Sequence, residues 1–94
     1  MSLKITENNG VYFLRGNLNA LTSNFLLKHI ELLKELGHGI TINIDFVNEI
    51  DAFGMLTLRN LYKSTLRRNQ NFWITGNGCK EIYQDFVSSG LEKR

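Results

Sequence analysis

Hydrophobic and polar positions along the chain follow two different periods, and the changes between them separate strands from helices. Leu3–Ile5 alternates, Val11–Arg15 is a short run typical of a strand, and the two segments flank Asn8-Asn9-Gly10. An Asn-Gly pair suits the positive φ angles of a tight hairpin turn. The first two elements are therefore predicted to be an antiparallel β-hairpin whose second strand ends at Gly16.

From Thr22 to Leu36 the period becomes that of a helix. Thr22 or Ser23 can cap its start, and Gly37 or Gly39 can end it. The apolar residues assigned to its inner face are Phe25, Leu26, Leu32, Leu33 and Leu36.

A strand and a second helix follow. Ile40–Phe46 alternates strictly and is rich in β-branched residues, so it is predicted to be a strand. Val47-Asn48-Glu49 is predicted to be a loop that leads to Asp51, a good N-cap residue. Asn69-Gln70-Asn71 ends the helix that begins near Ala52. The inner face of this helix is expected to include Met55, Leu58, Leu61, Tyr62, Thr65 and Leu66.

The last predicted strand is Phe72–Thr75, and Gly76-Asn77-Gly78 forms a turn in which Asn77 caps the final helix. Gly90 is its stop, and its apolar residues are Cys79, Ile82, Tyr83, Phe86 and Val87. The order ββαβαβα predicts an α/β fold in which a mixed four-stranded sheet is covered by helices. Residues 1–94 are expected to form a single domain, which suits a chain of 94 residues.

Composition adds three constraints. Eleven basic and nine acidic residues leave a net charge of +2, which is too balanced to favour nucleic acid as a partner. One cysteine excludes an internal disulfide. The absence of a signal sequence and of a long apolar run predicts a cytoplasmic protein without direct membrane insertion. The oligomeric state is left open.

Two motifs resemble catalytic or binding sites only in part. Gly76-Asn77-Gly78 begins as a dinucleotide-binding turn would, but Glu81 stands where the third glycine of G-x-G-x-x-G belongs. Cys79, His29 and His38 are not at metal-ligand spacing, and Cys79 lies on an apolar stripe that favours a structural thiol.

Acidic residues near the third strand are the remaining candidates. Asp45, Glu49 and Asp51 could bind Mg²⁺, although capping explains Asp51 better. We therefore predict no catalytic residue, no metal site and no cofactor.

The segment Ile42–Leu56 resembles the signature of STAS domains, the family of the anti-sigma factor antagonists. In that signature a strand ends in Asp or Asn, a short loop follows, and Asp-Ser-Ser/Thr-Gly begins a helix. Gly16-Asn17-Leu18-Asn19, Asn69–Gly76 and Ser89-Gly90-Leu91 also match the family, so the resemblance covers nearly the whole chain. Here the motif reads Asp51-Ala52-Phe53-Gly54.

The resemblance implies a phosphorylation site at position 52, where phosphorylatable members have Ser or Thr. Ala52 has no hydroxyl, so control by phosphorylation at this position is not expected. Whether Thr22, Ser23, Thr57 or Ser64 is modified instead is left open. Thr57 is predicted to lie on the outer side of its helix and is the most reachable of them.

The resemblance also implies a non-catalytic regulatory module that binds another protein. Phe53 is expected to anchor that partner, or alternatively to fold into the loop below it as core. The expected partner is an anti-sigma kinase-like regulator; the alternative is the ATPase subunit of an ABC-type lipid transporter, of which this chain would be a small subunit. A nucleotide-binding protein that uses Gly76–Gly78 is a third hypothesis. The residues assigned to partner binding are Asp51, Phe53, Gly54, Leu56, Thr57, Asn60 and Lys63.

Overall fold

The predicted order of elements is confirmed in a computed structural model, which describes residues 3–37 and 39–90, with the backbone only at position 34. Predictions that involve His38 and Leu91 lie outside the described residues. The elements are β1 (Leu3–Asn8), β2 (Val11–Leu18), α1 (Ser23–Glu35), β3 (Ile40–Ile50), α2 (Ala52–Arg67), β4 (Phe72–Thr75) and α3 (Cys79–Ser88).

The first two strands form the predicted hairpin. Asn9 and Gly10 have φ angles of 54° and 84°, and positive φ at both central residues is typical of a type I′ turn. The carboxylate of Glu7 accepts a hydrogen bond from the Gly10 N–H at 2.8 Å. The turn sets the antiparallel register, in which Asn8 is opposite Val11.

The sheet has the strand order β1-β2-β3-β4. β2 pairs parallel with β3, and β3 pairs parallel with β4, so the predicted mixed sheet is confirmed. Two boundaries differ from the prediction. β2 continues past Gly16 to Leu18, and β3 includes the predicted loop 47–49, because two register shifts let these strands stay paired as far as Leu18 and Ile50.

All three helices pack against the same face of the sheet. The buried sheet residues Leu14, Ile42 and Ile74 lie on this face with apolar residues of each helix. No helix among the described residues packs on the opposite face, which we call the open face, and Trp73 on it is 47% exposed. The core residues that the helices contribute are Leu26, Ile30, Leu58, Leu61, Tyr62, Ile82 and Phe86.

The predicted inner face of α1 is confirmed for Leu26 and Leu33 and wrong for Phe25, Leu32 and Leu36. Leu26 and Ile30 are fully buried, whereas Phe25, Leu32 and Leu36 are 51%, 72% and 68% exposed. Leu33 is half-buried against the core. Because apolar residues cover a broad arc of α1, its periodicity alone does not decide which part of that arc faces the sheet.

The start of α1 is held by more residues than predicted. Asn19 Oδ1 accepts hydrogen bonds from the N–H groups of Leu21 and Thr22. The hydroxyls of Thr22 and Ser23 donate to the backbone oxygens of Asn17 and Asn19.

For the other two helices, one sequence prediction is confirmed and two are wrong. α2 ends where predicted, since Asn69 takes a φ of 60°. Asn77, however, does not cap α3: the N-cap residue is Gly78, at φ 91° and without a side-chain hydrogen bond. Val87 is 58% exposed and so lies off the buried stripe of α3, while Cys79 is half-buried.

Helices α2 and α3 are joined by a two-point ion pair. Arg59 Nε lies 2.7 Å from Asp85 Oδ1, and Arg59 Nη2 lies 3.2 Å from Asp85 Oδ2. The hydrogen bond from Arg59 lowers the pKa of the Asp85 carboxyl, an effect that charge attraction adds to and desolvation opposes.

None of the helices in the described part of the chain has the length and apolar character needed to cross a bilayer.

Candidate functional site

The start of α2 is fixed to the end of β2 by Asp51. Its carboxylate accepts a hydrogen bond from the Gly54 N–H at 2.9 Å, which confirms the predicted N-cap. Its own N–H donates to the Leu18 carbonyl at 3.1 Å. One residue therefore satisfies an unpaired helix amide and also anchors the helix to the sheet.

Gly54 is buried at the point where α2 comes closest to β2. A Cβ atom at this position would lie 2.3 Å from the Leu18 carbonyl oxygen and 2.9 Å from its carbonyl carbon. These distances are far inside van der Waals contact, and the obstacle is backbone. Gly54 therefore lets the two backbones approach, which positions its exposed neighbours, and its assignment to partner binding stays a prediction.

Ala52 and Phe53, the two motif residues that differ from the signature, are both exposed. Ala52 is the first residue of α2, where backbone N–H groups and the helix dipole favour a negative group. Its methyl side chain offers no oxygen for a phosphate ester. Phe53 is 60% exposed, so the alternative in which it folds into the core is wrong.

An exposed stripe runs along α2 from this point. Phe53 and Leu56 are 60% and 46% exposed, and Asn60 and Lys63 are exposed beyond them. Spacings of three, four and three residues keep these side chains on one side of a helix. We call Phe53, Leu56, Asn60 and Lys63 the α2 stripe.

Thr57 does not belong to this stripe, and its predicted outward position is wrong. The residue is only 6% exposed, and its hydroxyl donates to the Phe53 carbonyl at 3.0 Å. Four residues turn a helix slightly more than one full turn. Thr57 therefore projects in a different direction from Phe53, towards the buried side of α2.

The other candidate hydroxyls for modification are buried or half-buried. Thr22 and Ser23 are 5% and 8% exposed, and each donates to a backbone oxygen. Ser64 is half-buried on α2 and engaged in contacts. In the folded state, therefore, none of these hydroxyls is as open as the side chain of Ala52.

Beside the start of α2 is a cleft that the sequence did not indicate. It has a volume of about 380 Å³ and lies where the last residues of β3 face the first turns of α2 and α3. Its floor is apolar, and Glu49 and Glu81 add two carboxylates. The lining residues are Ile44, Val47, Asn48, Glu49, Ile50, Met55, Asn77, Gly78, Glu81 and Ile82.

Asp45, which was considered as a magnesium ligand, has a structural role. Its Oδ1 accepts a hydrogen bond from the Asn77 N–H at 2.8 Å, and its own N–H donates to the side chain of Asn43. Gly76 packs against it at a φ of 104°, where a Cβ atom would lie 2.9 Å from the Asp45 nitrogen. Within residues 3–37 and 39–90, no three His, Cys, Asp or Glu side chains are placed to share a metal ion.

Together these features define a class: a small two-layer α/β domain whose distinctive surface is an Asp-capped helix start. The chain matches the STAS domain family over residues 1–93. It therefore belongs to the STAS domain family, as its motif indicated.

The fold also has a counterpart among solved structures. Over 80% of this chain and 19% of the other, it is similar to the protein of the structure titled "Crystal Structure Analysis of Mglu", with a TM-score of 0.64 and 13% sequence identity. This chain thus spans about a fifth of that one, and the likeness concerns the fold alone. No curated protein matches the chain.

Proposed function

We propose that this protein is a non-catalytic regulatory module of the cytoplasm that binds another protein through the start of α2. STAS domains commonly mediate protein–protein interactions, and the chain has the framework of the family's motif in Asp51 and Gly54. Because position 52 is alanine, binding is not controlled by phosphorylation there. The partner we favour is an anti-sigma kinase-like regulator.

The observation that supports this most directly is the exposure of Phe53. An aromatic ring at 60% exposure on a rigidly anchored helix start has little stabilising role in the chain alone. Aromatic residues are enriched among the side chains that dominate binding energy at protein interfaces. Leu56, one turn along the α2 stripe, extends the apolar surface that a partner would cover.

Charges around the site favour a partner segment that is apolar and basic. Asp51 is exposed at the helix start, and Glu49 and Glu81 line the adjoining cleft. A partner side chain such as arginine could place its apolar stem on the cleft floor and its charged end against these carboxylates. Charge complementarity of this kind sets the orientation of docking.

The test is capture of partners by the tagged protein from cells that express it, read by mass spectrometry. The wild-type chain is expected to recover one protein reproducibly, and Phe53→Asp is expected to reduce that recovery at least about tenfold, as loss of a central aromatic anchor does. Val87→Asp is the matched control, because Val87 is a similarly exposed apolar residue on α3.

Equal recovery by the wild-type chain and Phe53→Asp would show that the α2 stripe is not the docking surface. The identity of the captured protein decides between the two partner classes. A kinase-like or other signalling regulator supports the proposal, and the ATPase subunit of an ABC-type transporter favours the transporter role instead.

A further inference from the structure

Strand β4 lies at one edge of the sheet, because no strand among the described residues pairs on its other side. An exposed edge offers backbone N–H and C=O groups to a further strand, which is a common route to aggregation. Phe72–Thr75 consists of four residues with high β propensity and no charge. The chain also contains no proline. This edge therefore lacks the charged side chains and the proline that commonly prevent strand addition.

The other edge strand, β1, has the protection that β4 lacks. Lys4 and Glu7 of β1 are both exposed, and charged side chains on an edge strand disfavour pairing with a second chain. The two edges of the sheet thus differ, and β4 needs a different kind of protection.

A hydroxyl group from α3 covers the middle of the β4 edge. The Ile74 N–H donates a hydrogen bond to the Tyr83 hydroxyl oxygen at 2.7 Å. Ile74 is paired with Ile42 of β3, but its N–H points away from β3, towards the side where a fifth strand would add. Alternate residues of a strand point their N–H groups to opposite edges, so a strand of four residues offers two outward N–H groups. Tyr83 engages one of them.

The ring of Tyr83 is held at this position by the core. Tyr83 is half-buried and packs against the core cluster. Its ring meets the ring of Phe86 edge-on, with 6.0 Å between the centroids, and Phe86 is only 1% exposed. Displacing the hydroxyl from Ile74 would therefore disturb a packed aromatic contact as well as break a hydrogen bond.

We propose that Tyr83 guards the β4 edge, so that its ring and hydroxyl keep β4 from pairing with the same strand of a second copy of the chain. Loss of this side chain exposes an uncharged, aromatic strand edge and leads to edge-to-edge association. This role lies beyond the proposed binding of a partner by α2 and does not depend on it.

Sedimentation velocity of the full chain over a range of concentrations tests the guard. Tyr83→Ala is expected to form larger species than the wild-type chain, in amounts that rise with concentration. Tyr12→Ala is the matched control, because Tyr12 is a half-buried tyrosine on β2, which is paired on both sides. Equal sedimentation of all three proteins, or the same increase in both variants, would overturn the proposal. Circular dichroism ensures that only folded chains are compared.

A lysine in the edge strand tests whether the association runs through β4. Trp73 projects to the open face of this strand and is partly exposed. Trp73→Lys in the Tyr83→Ala background is expected to restore the sedimentation of the wild-type chain, because lysine on an edge strand opposes pairing. A double variant that associates as strongly as Tyr83→Ala would show that β4 is not the associating edge and would overturn the proposal.

Tyr83→Phe removes only the hydroxyl, so this test does not require Tyr83→Ala to fold. Amide hydrogen exchange measured by NMR is expected to be about tenfold faster at Ile74 than in the wild-type chain, and unchanged at Ile42 in the neighbouring strand. An unchanged rate at Ile74 would show that the hydroxyl does not cover the edge. Equal acceleration at both amides would show a general loss of stability. Either result would overturn the proposal.

Discussion

Gly54 is buried, but it determines how the exposed residues at the start of α2 are oriented. The α-carbon of Gly54 lies against the Leu18 carbonyl, which also accepts the Asp51 N–H. This contact fixes α2 to the end of β2 and so fixes the direction in which Phe53 projects. At the scale of single residues, the site is an exposed aromatic held by a glycine contact and a carboxylate cap.

Gly54→Ala should therefore destabilise the protein by about 1–3 kcal/mol, the usual cost of forcing extra atoms into a packed site. The added methyl would lie 2.3 Å from the Leu18 carbonyl oxygen, and backbone has to move to relieve it. Urea denaturation followed by circular dichroism measures the loss.

Gly39→Ala is the matched control for this substitution. A Cβ there meets only ordinary contact, with the side chain of Asn71 at 3.4 Å. We expect a change within about 0.5 kcal/mol. Equal losses of unfolding free energy at both positions would show that the close contact with Leu18 is not the reason why position 54 requires glycine.

Elements α2 and α3 are coupled by the Arg59–Asp85 pair, which is bidentate and about one-third exposed. The hydrogen bond from Arg59 lowers the pKa of Asp85 in the folded state. A carboxyl whose folded pKa is depressed contributes stability above its unfolded pKa, and that contribution is lost as pH falls through the folded value.

A double-mutant cycle of Arg59→Met and Asp85→Asn should therefore show coupling at neutral pH that declines in acid. Added salt should also reduce the coupling, because the pair is partly exposed. Thermal or urea unfolding of the four proteins over the acidic range measures it. A coupling energy that is independent of pH would contradict the assignment of Asp85 as the titrating partner.

On the scale of the whole molecule, the sheet separates a helix-covered face from an open one. Trp73 and Phe72 are neighbours in β4, yet they are 47% and 5% exposed because successive side chains of a strand point to opposite faces. Arg15 lies over the ring of Phe46, 4.5 Å from its centroid, on the open face. The proposed partner surface on α2 leaves this face uncovered.

Trp73 reports directly on the open face, since it is the only tryptophan in the chain. Acrylamide is expected to quench its fluorescence efficiently in the native protein. A control variant with Phe72→Trp and Trp73→Phe moves the indole to the covered face, and its native-state quenching should fall. Protection of Trp73 in the native wild-type chain would show that the open face is occupied.

Sequence alone determined the features that depend on short-range chemistry. The Asn9-Gly10 turn follows from the φ angles these residues tolerate, and the Asp51 cap follows from a carboxylate three residues before an unpaired amide. The order of elements follows from the two hydrophobic periods. The family motif was also visible in the sequence, because its residues are contiguous.

Only the tertiary structure decided which apolar faces are covered and how far the strands extend. The apolar arc of α1 is broad, so the choice of Leu26 rather than Leu32 for the core depends on how the helix is placed on the sheet. β3 continues to Ile50 because it stays paired with β2 across two register shifts. Thr57 is buried because of the way α2 packs against the rest of the fold. Such contacts join residues far apart in the chain, so the local pattern of hydrophobic residues does not predict them.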